Sequence, residues 1–176
     1  MKNMLLPCSV LAVAAAGLLL AANVKTDYDH SADFGRYHTY SWLSAKATDS
    51  LWQDRIVKDV DGQLTAKGWQ KVDTGGDAAV AAIGHTSERQ TLETFYDGFP
   101  GWGWRRFGGG MGETTTQVER TPIGTLTVDI FDGQSKKLIW RSHAMDALSG
   151  KPEKNEKKLE KDVEDMFKKF PPNEKA

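Results

Sequence analysis

Residues 123–145 read IGTLTVDIFDGQSKKLIWRSHAM. Ile123 to Phe131 has the composition of a strand, and Asp129 alternates with Val128 and Ile130, so its carboxylate points away from the core side. Asp132-Gly133 is a tight-turn dipeptide, and Leu138 to Met145 returns as a second strand. Upstream, Thr114 to Arg120 continues the first strand. Pro122 lies between the two stretches and removes a ladder donor, which predicts a bulge or an edge there.

Further out, Val24 to Asp29 alternates neutral and charged side chains, as a strand with one wet face does. Residues 37–43 (YHTYSWL) read the same way, and Phe34 in the link between them is expected to pin that link to the core. A helix should follow. Ser50 and Gln53 have capping-box spacing, and Trp52, Ile56, Val60 and Leu64 recur every four residues, with Val57 beside them, as one apolar stripe. Gly68 is placed to end that helix in a left-handed conformation, and residues 73–77 (DTGGD) form a turn.

Ala78 to Ile83 is a short apolar run that predicts a central strand covered on both faces. Arg89 to Tyr96 is polar and Thr-rich, an exposed continuation. Pro152 fits the first position of a last helix, in which Leu159, Val163, Met166, Phe167 and Phe170 share one face and which Pro171-Pro172 stops. Two amphipathic helices each need a sheet face to bury their stripes. The expected fold class is therefore α+β: an antiparallel or mixed β-sheet with two amphipathic helices packed on it, with Trp140 and Phe167 in the core.

The chain has 176 residues, a formal net charge of -1 and 27% charged residues. That length fits one domain, and the near-neutral balance argues against nucleic acid as a partner, because phosphates are engaged by a basic surface. The start differs in kind. Lys2 is followed by an apolar run from Met4 to Ala22 without a charge. This reads as a secretory signal over residues 1–22, leaving one domain over residues 24–172 that is periplasmic or secreted. The run is also long enough to be retained as a membrane anchor. Cys8, the single cysteine, lies inside it, so a processed chain would carry no thiol.

Residues 98–112 are the strongest candidate for a contact surface. Phe99, Trp102, Trp104 and Phe107 sit among glycines, with Arg105 and Arg106 between them. Aromatics on a polar-flanked loop are costly to leave in water and suit an envelope protein, a membrane surface or a glycan as partner; Arg beside Trp suits an anionic group. The alternative is a hairpin tip whose rings fold back over the sheet.

Other chemistry is thinly represented. His30, His38, His85 and His143 lack metal-ligand spacing, although His38 and His143 could meet if both lie on strands. Asp27, Asp29 and Asp129 are the carboxylates to consider for acid–base work or a hard cation, against the plainer reading of a wet strand face or a turn cap; Asp27 and Asp29 would share a face. No nucleophile elbow and no phosphate cradle is present. The expectation is a non-enzymatic protein with no cofactor and no metal. A hydrolase built on these carboxylates is the rival, and it requires them to converge in a pocket.

The order of these landmarks resembles domain-of-unknown-function family 4136, a family of bacterial envelope proteins, many of them lipoproteins. The resemblance rests on Val24 to Asp29 followed by Phe34, Tyr37, Thr39-Tyr40 and Trp42, then Leu64 with Gly68, Gly124-Thr125-Leu126 through Asp129, Lys137 to Trp140, and Phe170-Pro171. It implies an envelope location and brings no catalytic residues. Family members often carry a lipid-modified Cys right after the apolar run; Asn23 stands there in this chain.

Overall fold

The computed structural model describes residues 24–96 and 114–172, with side chains described for residues 24–90 and 120–172. Its elements are β1 (Lys25–Tyr28), a single 3-10 turn at Phe34–Arg36, β2 (Thr39–Lys46), α1 (Ser50–Ala66), β3 (Gln70–Lys71), β4 (Ala78–Tyr96), β5 (Thr114–Asp132), β6 (Leu138–Ala147) and α2 (Pro152–Phe167). The six strands form one mixed sheet in the order β1-β6-β5-β4-β2-β3. β1, β6, β5 and β4 pair antiparallel, each with its neighbour; β2 runs parallel to both β4 and β3. The chain is α+β, with both helices on one face of the sheet.

That face is the even-numbered side of the central strands. Val80 and Ala82 on β4, Leu126, Val128 and Ile130 on β5, and Trp140, Ser142 and Ala144 on β6 are all buried there. α1 covers them with Ile56, Val60 and Leu64, and α2 with Val163, Met166 and Phe167. Burying each such side chain contributes about 1.5–3 kcal/mol. Phe170, just past α2, stands with its ring centroid 5.1 Å from Trp140, 5.3 Å from Trp69 and 6.0 Å from Phe34. Phe34 does pin the first link to the core.

The ends of α1 are instructive. Its N-cap is Asp49, whose side chain accepts from the Trp52 N–H at 3.0 Å; Ser50 is the first helical residue, one position later than its spacing to Gln53 suggested. Asp49 wins because its carboxylate both accepts the hydrogen bond and faces the positive end of the helix dipole. At the other end Gly68 adopts φ 87°, its N–H reaching the Thr65 carbonyl and that of Trp69 the Leu64 carbonyl. This pattern satisfies two orphan carbonyls and sets buried Trp69 over buried Leu64.

One sequence expectation is corrected, and another is met by one of its two alternatives. Ala78–Ile83 is central, between β5 and β2, but no described element covers its odd-numbered face, where Ile83 is 54% exposed. Ala78 and Ala82 are buried on the helix side, while Ala79 and Ala81 point to the other face, where no described helix packs. β5 runs past Pro122 with no bulge: its register against β4 is unshifted from Asp132 to Thr114. The lost donor is tolerated because β6 pairing stops at Ile123, so Pro122 sits where that side of β5 has become an edge. The bulge lies instead between Ile130 and Phe131, where Ile139 is the extra residue on β6. It lets consecutive Ile139 and Trp140 both be buried, which plain alternation forbids.

Candidate functional site

The candidate contact residues Phe99, Trp102, Trp104, Arg105, Arg106 and Phe107 lie outside the described residues. What is described is their mount. β2 pairs with β4 only as far as Ile83, and β6 pairs with β5 only as far as Ile123. Beyond Ser87, β4 and β5 continue alone for nine further residue pairs, from Glu88↔Pro122 to Tyr96↔Thr114. At about 3.3 Å per residue this two-stranded arm extends roughly 30 Å past the sheet. Its two outer edges have no partner strand among the described residues. Residues 98–112 connect the far ends of its strands.

The odd-numbered face of the sheet gathers the carboxylates that the sequence singled out. Asp27 of β1, Arg141 of β6 and Asp129 of β5 occupy one row across three strands. Arg141 donates to both Asp129 oxygens, at 2.6 and 2.7 Å, and the pairing raises its already high pKa. Asp129 points away from the core as its alternation predicted. In the neighbouring row Thr127 bonds His143 Nδ1 at 3.1 Å. Asp29 does not share the face of Asp27, because β1 ends at Tyr28: Asp29 turns the chain, accepting from the N–H and hydroxyl of Ser31 and pairing with Lys137 at 2.6 Å. Those contacts hold its carboxyl well below the usual carboxylate range. Asp27 and Asp29 border one pocket together with Lys137 and Arg141, but Asp129 does not, so the three carboxylates do not converge. His38 and His143 do not meet either: His38 precedes β2, and β4 and β5 separate β2 from β6. Among the described residues no three His, Cys, Asp or Glu side chains are grouped to hold a metal ion.

The end of the sheet opposite the arm holds two aspartates whose roles sequence reasoning missed. Asp132 is buried, 4% exposed, yet fully occupied. One oxygen accepts from the Ser135 N–H at 2.6 Å, the Ser135 hydroxyl at 2.8 Å and the Gln134 N–H at 3.1 Å; the other takes the Tyr37 hydroxyl at 2.9 Å and the Arg36 guanidinium. The Ser135 bonds foremost keep it ionised far below the ordinary range. Asp77 accepts from the backbone N–H groups of His38 and Thr39 and from the Thr39 hydroxyl, which lowers its pKa as well. Gly133 packs so closely here that a Cβ would lie 2.2 Å from the Gly76 carbonyl oxygen. On α1, Asp61 accepts from Tyr40 at 2.7 Å, Trp42 at 2.8 Å and Lys71 at 2.8 Å, tying helix to sheet. The turn dipeptide at 132–133 was visible in the sequence; the long-range donors Arg36 and Tyr37 were not.

No curated protein matches the chain. Among solved structures, a PDZ domain protein from Parabacteroides distasonis is similar at 14% identity and a TM-score of 0.59, over 86% of this chain and 36% of that one, so the chain spans about a third of that protein. The PelC dodecamer from Paraburkholderia phytofirmans is similar at 10% identity and a TM-score of 0.50, over 83% of this chain and 94% of that one. At such identities the likeness is one of fold. Family comparison reaches further: the domain of unknown function DUF4136 matches residues 24–172. The chain is a member of the DUF4136 family.

Proposed function

We propose that this is a non-enzymatic binding or structural protein of the bacterial cell envelope, exported through residues 1–22, which uses residues 98–112 as its contact surface. The observation that carries the reading is the arm. A two-stranded ribbon buries little and is marginal on its own, yet β4 and β5 run on together for nine residue pairs beyond the rest of the sheet before the chain enters residues 98–112. Placement at the end of such an arm favours a surface offered outward over rings folded back on the core. Trp102, Trp104, Phe99 and Phe107 would supply the apolar contact, and Arg105 and Arg106 would meet an anionic group on an envelope protein, a membrane surface or a glycan.

The envelope location is supported by the uncharged apolar run from Met4 to Ala22 behind Lys2. Among the described residues no helix is long and apolar enough to cross a membrane; residues 1–22 are the segment that decides between a processed chain and a tethered one. Intact mass of the protein recovered from cells separates these: loss of about 22 residues removes the tether.

The test of the contact surface is co-sedimentation of the protein with sacculi, with membranes and with envelope proteins on beads, beside a W102A/W104A variant. Binding by the unaltered chain and not by the variant is the expected result and names the fraction. Equal binding by both, or by neither, overturns the assignment of residues 98–112.

A further inference from the structure

Between the two helices, on the arm side of the sheet, a cleft of about 150 Å³ opens over a floor of Gly84, Gly124 and Leu126. Trp52 and Ile56 of α1, Leu148, and Leu159 of α2 form its walls. The two glycines are diagonal neighbours on the same face, in the pairs Gly84↔Leu126 and Thr86↔Gly124. A Cβ on Gly84 would stand 2.9 Å from Ile56 Cδ1, and one on Gly124 would stand 2.8 Å from Leu148 Cδ2. Any side chain there would push these two walls into the space. The floor is bare, and the cleft stays open.

Its mouth is charged. Asp146, Asn155, Lys158 and Asp162 line it. Asn155 is committed to the backbone of Ser149, accepting at 2.7 Å and donating at 2.8 Å. Lys158 is committed as well, donating to the Ala147 carbonyl at 2.6 Å and lying 3.2 Å from Asp146. Asp162 has no hydrogen bond or ion pair among the described residues; it feels only burial and the charges of Asp146, Asp165, Lys158 and Lys161. Two carboxylates against one ammonium leave the mouth one negative charge in excess, and the excess rests on the side chain without a partner.

We propose that this cleft binds a small organic cation: a compact apolar body seated on the glycine floor, carrying a primary ammonium that pairs with Asp162. A space of this volume holds a group about the size of a benzene ring, so the ligand is fragment-sized. A half-buried carboxylate gains from a charged donor far more than an exposed one. Burial first, then the like charges of Asp146 and Asp165, push the Asp162 carboxyl up to about 6. A bound ammonium requires it ionised, so binding should weaken as pH falls through that value. The groups facing Asp162 are Asp146 on β6 and Lys158, Lys161 and Asp165 on α2; His85 lines the cleft from β4, while α1 presents Trp52 and Ile56.

The test is a titration of the full chain with benzylamine and with benzyl alcohol, which match in size and differ in charge, followed through the Trp52 indole N–H resonance. At pH 7.5 the amine should bind about tenfold more tightly than the alcohol, and the preference should shrink at pH 5. Asp162→Asn should abolish the preference and leave the alcohol unaffected, and Ala47→Phe, which fills the cleft, should abolish both. Equal affinities for amine and alcohol, a preference that survives Asp162→Asn or pH 5, or no saturable shift of Trp52 would each overturn the proposal. The comparison of two ligands on the unaltered chain stands even if a variant folds poorly.

Discussion

The Asp132 carboxylate accepts from Tyr37, Arg36 and the Ser135 turn at once. Replacing it with Ala strands the buried Tyr37 hydroxyl and unpins the turn. Asp132→Ala should therefore lower stability by about 2–4 kcal/mol in urea unfolding, because unpaired buried donors are lost along with the bonds. Asp129→Ala, on the open face, should cost no more than about 1 kcal/mol despite its two-pronged pairing with Arg141, since that guanidinium is half exposed. Trp140 is 1% exposed and packs with its ring centroid 4.9 Å from Phe167; Trp140→Ala should cost about 3–5 kcal/mol. Its indole N–H is buried without a partner among the described residues, so Trp140→Phe should be distinctly milder than Trp140→Ala.

At the level of single elements, the caps of α1 make a paired prediction. Asp49→Ala should lower stability by about 1 kcal/mol, while Ser50→Ala should change it by less than about 0.5 kcal/mol, both read as shifts in the urea midpoint. Equal losses would return the cap to Ser50. Helix positions were legible from the sequence because a four-residue apolar repeat has one physical reading. Gly68 was legible for the same reason: few residues tolerate φ 87°. The cap was misplaced by one residue because Asp49 and Ser50 are both good caps, and only the backbone shows which side chain faces the Trp52 N–H. The bulge at Ile139 was not legible, since it depends on which residue of β5 stands opposite. The arm follows from the same limit: residues 84–96 and 114–122 look like ordinary strands, and only the lengths of their neighbours reveal that nothing flanks them. Amide exchange should be faster at residues 88–96 and 114–121 than at residues 78–83, because ribbon bonds open to water on both edges.

For the molecule as a whole, the aspartates divide into two sets that pull stability in opposite directions with pH. Asp29, Asp77 and Asp132 are held below the ordinary range by hydrogen bonds. As pH falls below about 4 the unfolded chain takes up their protons first, so stability drops. Asp162 is raised to about 6. Between that pH and about 4 the folded chain binds the proton first, so stability rises as pH falls from 7. Thermal melts should therefore peak between about pH 4 and 6, and Asp162→Asn should flatten the limb on the neutral side. A melt that rises steadily to pH 8 would contradict this assignment. Fold class, helix count and the hairpin at 132–133 could be read from the sequence because they depend on local pattern. The ion-pair row, the cleft and the Asp132 cluster could not, because each joins residues from three or more elements.

The pairing of β1 with β6 also has a consequence in time. Lys25 stands opposite His143 and Tyr28 opposite Trp140, so the first strand's one partner strand among the described residues lies near the other end of the chain. A polypeptide threaded through a pore with its N-terminus leading cannot close this sheet until residue 147 has emerged, and cannot cover the core until α2 follows. Loop closure over more than 100 residues is slow compared with local pairing. A chain that emerges N-terminus first therefore leaves β1 unpaired until β6 arrives, and the sheet closes last at that edge.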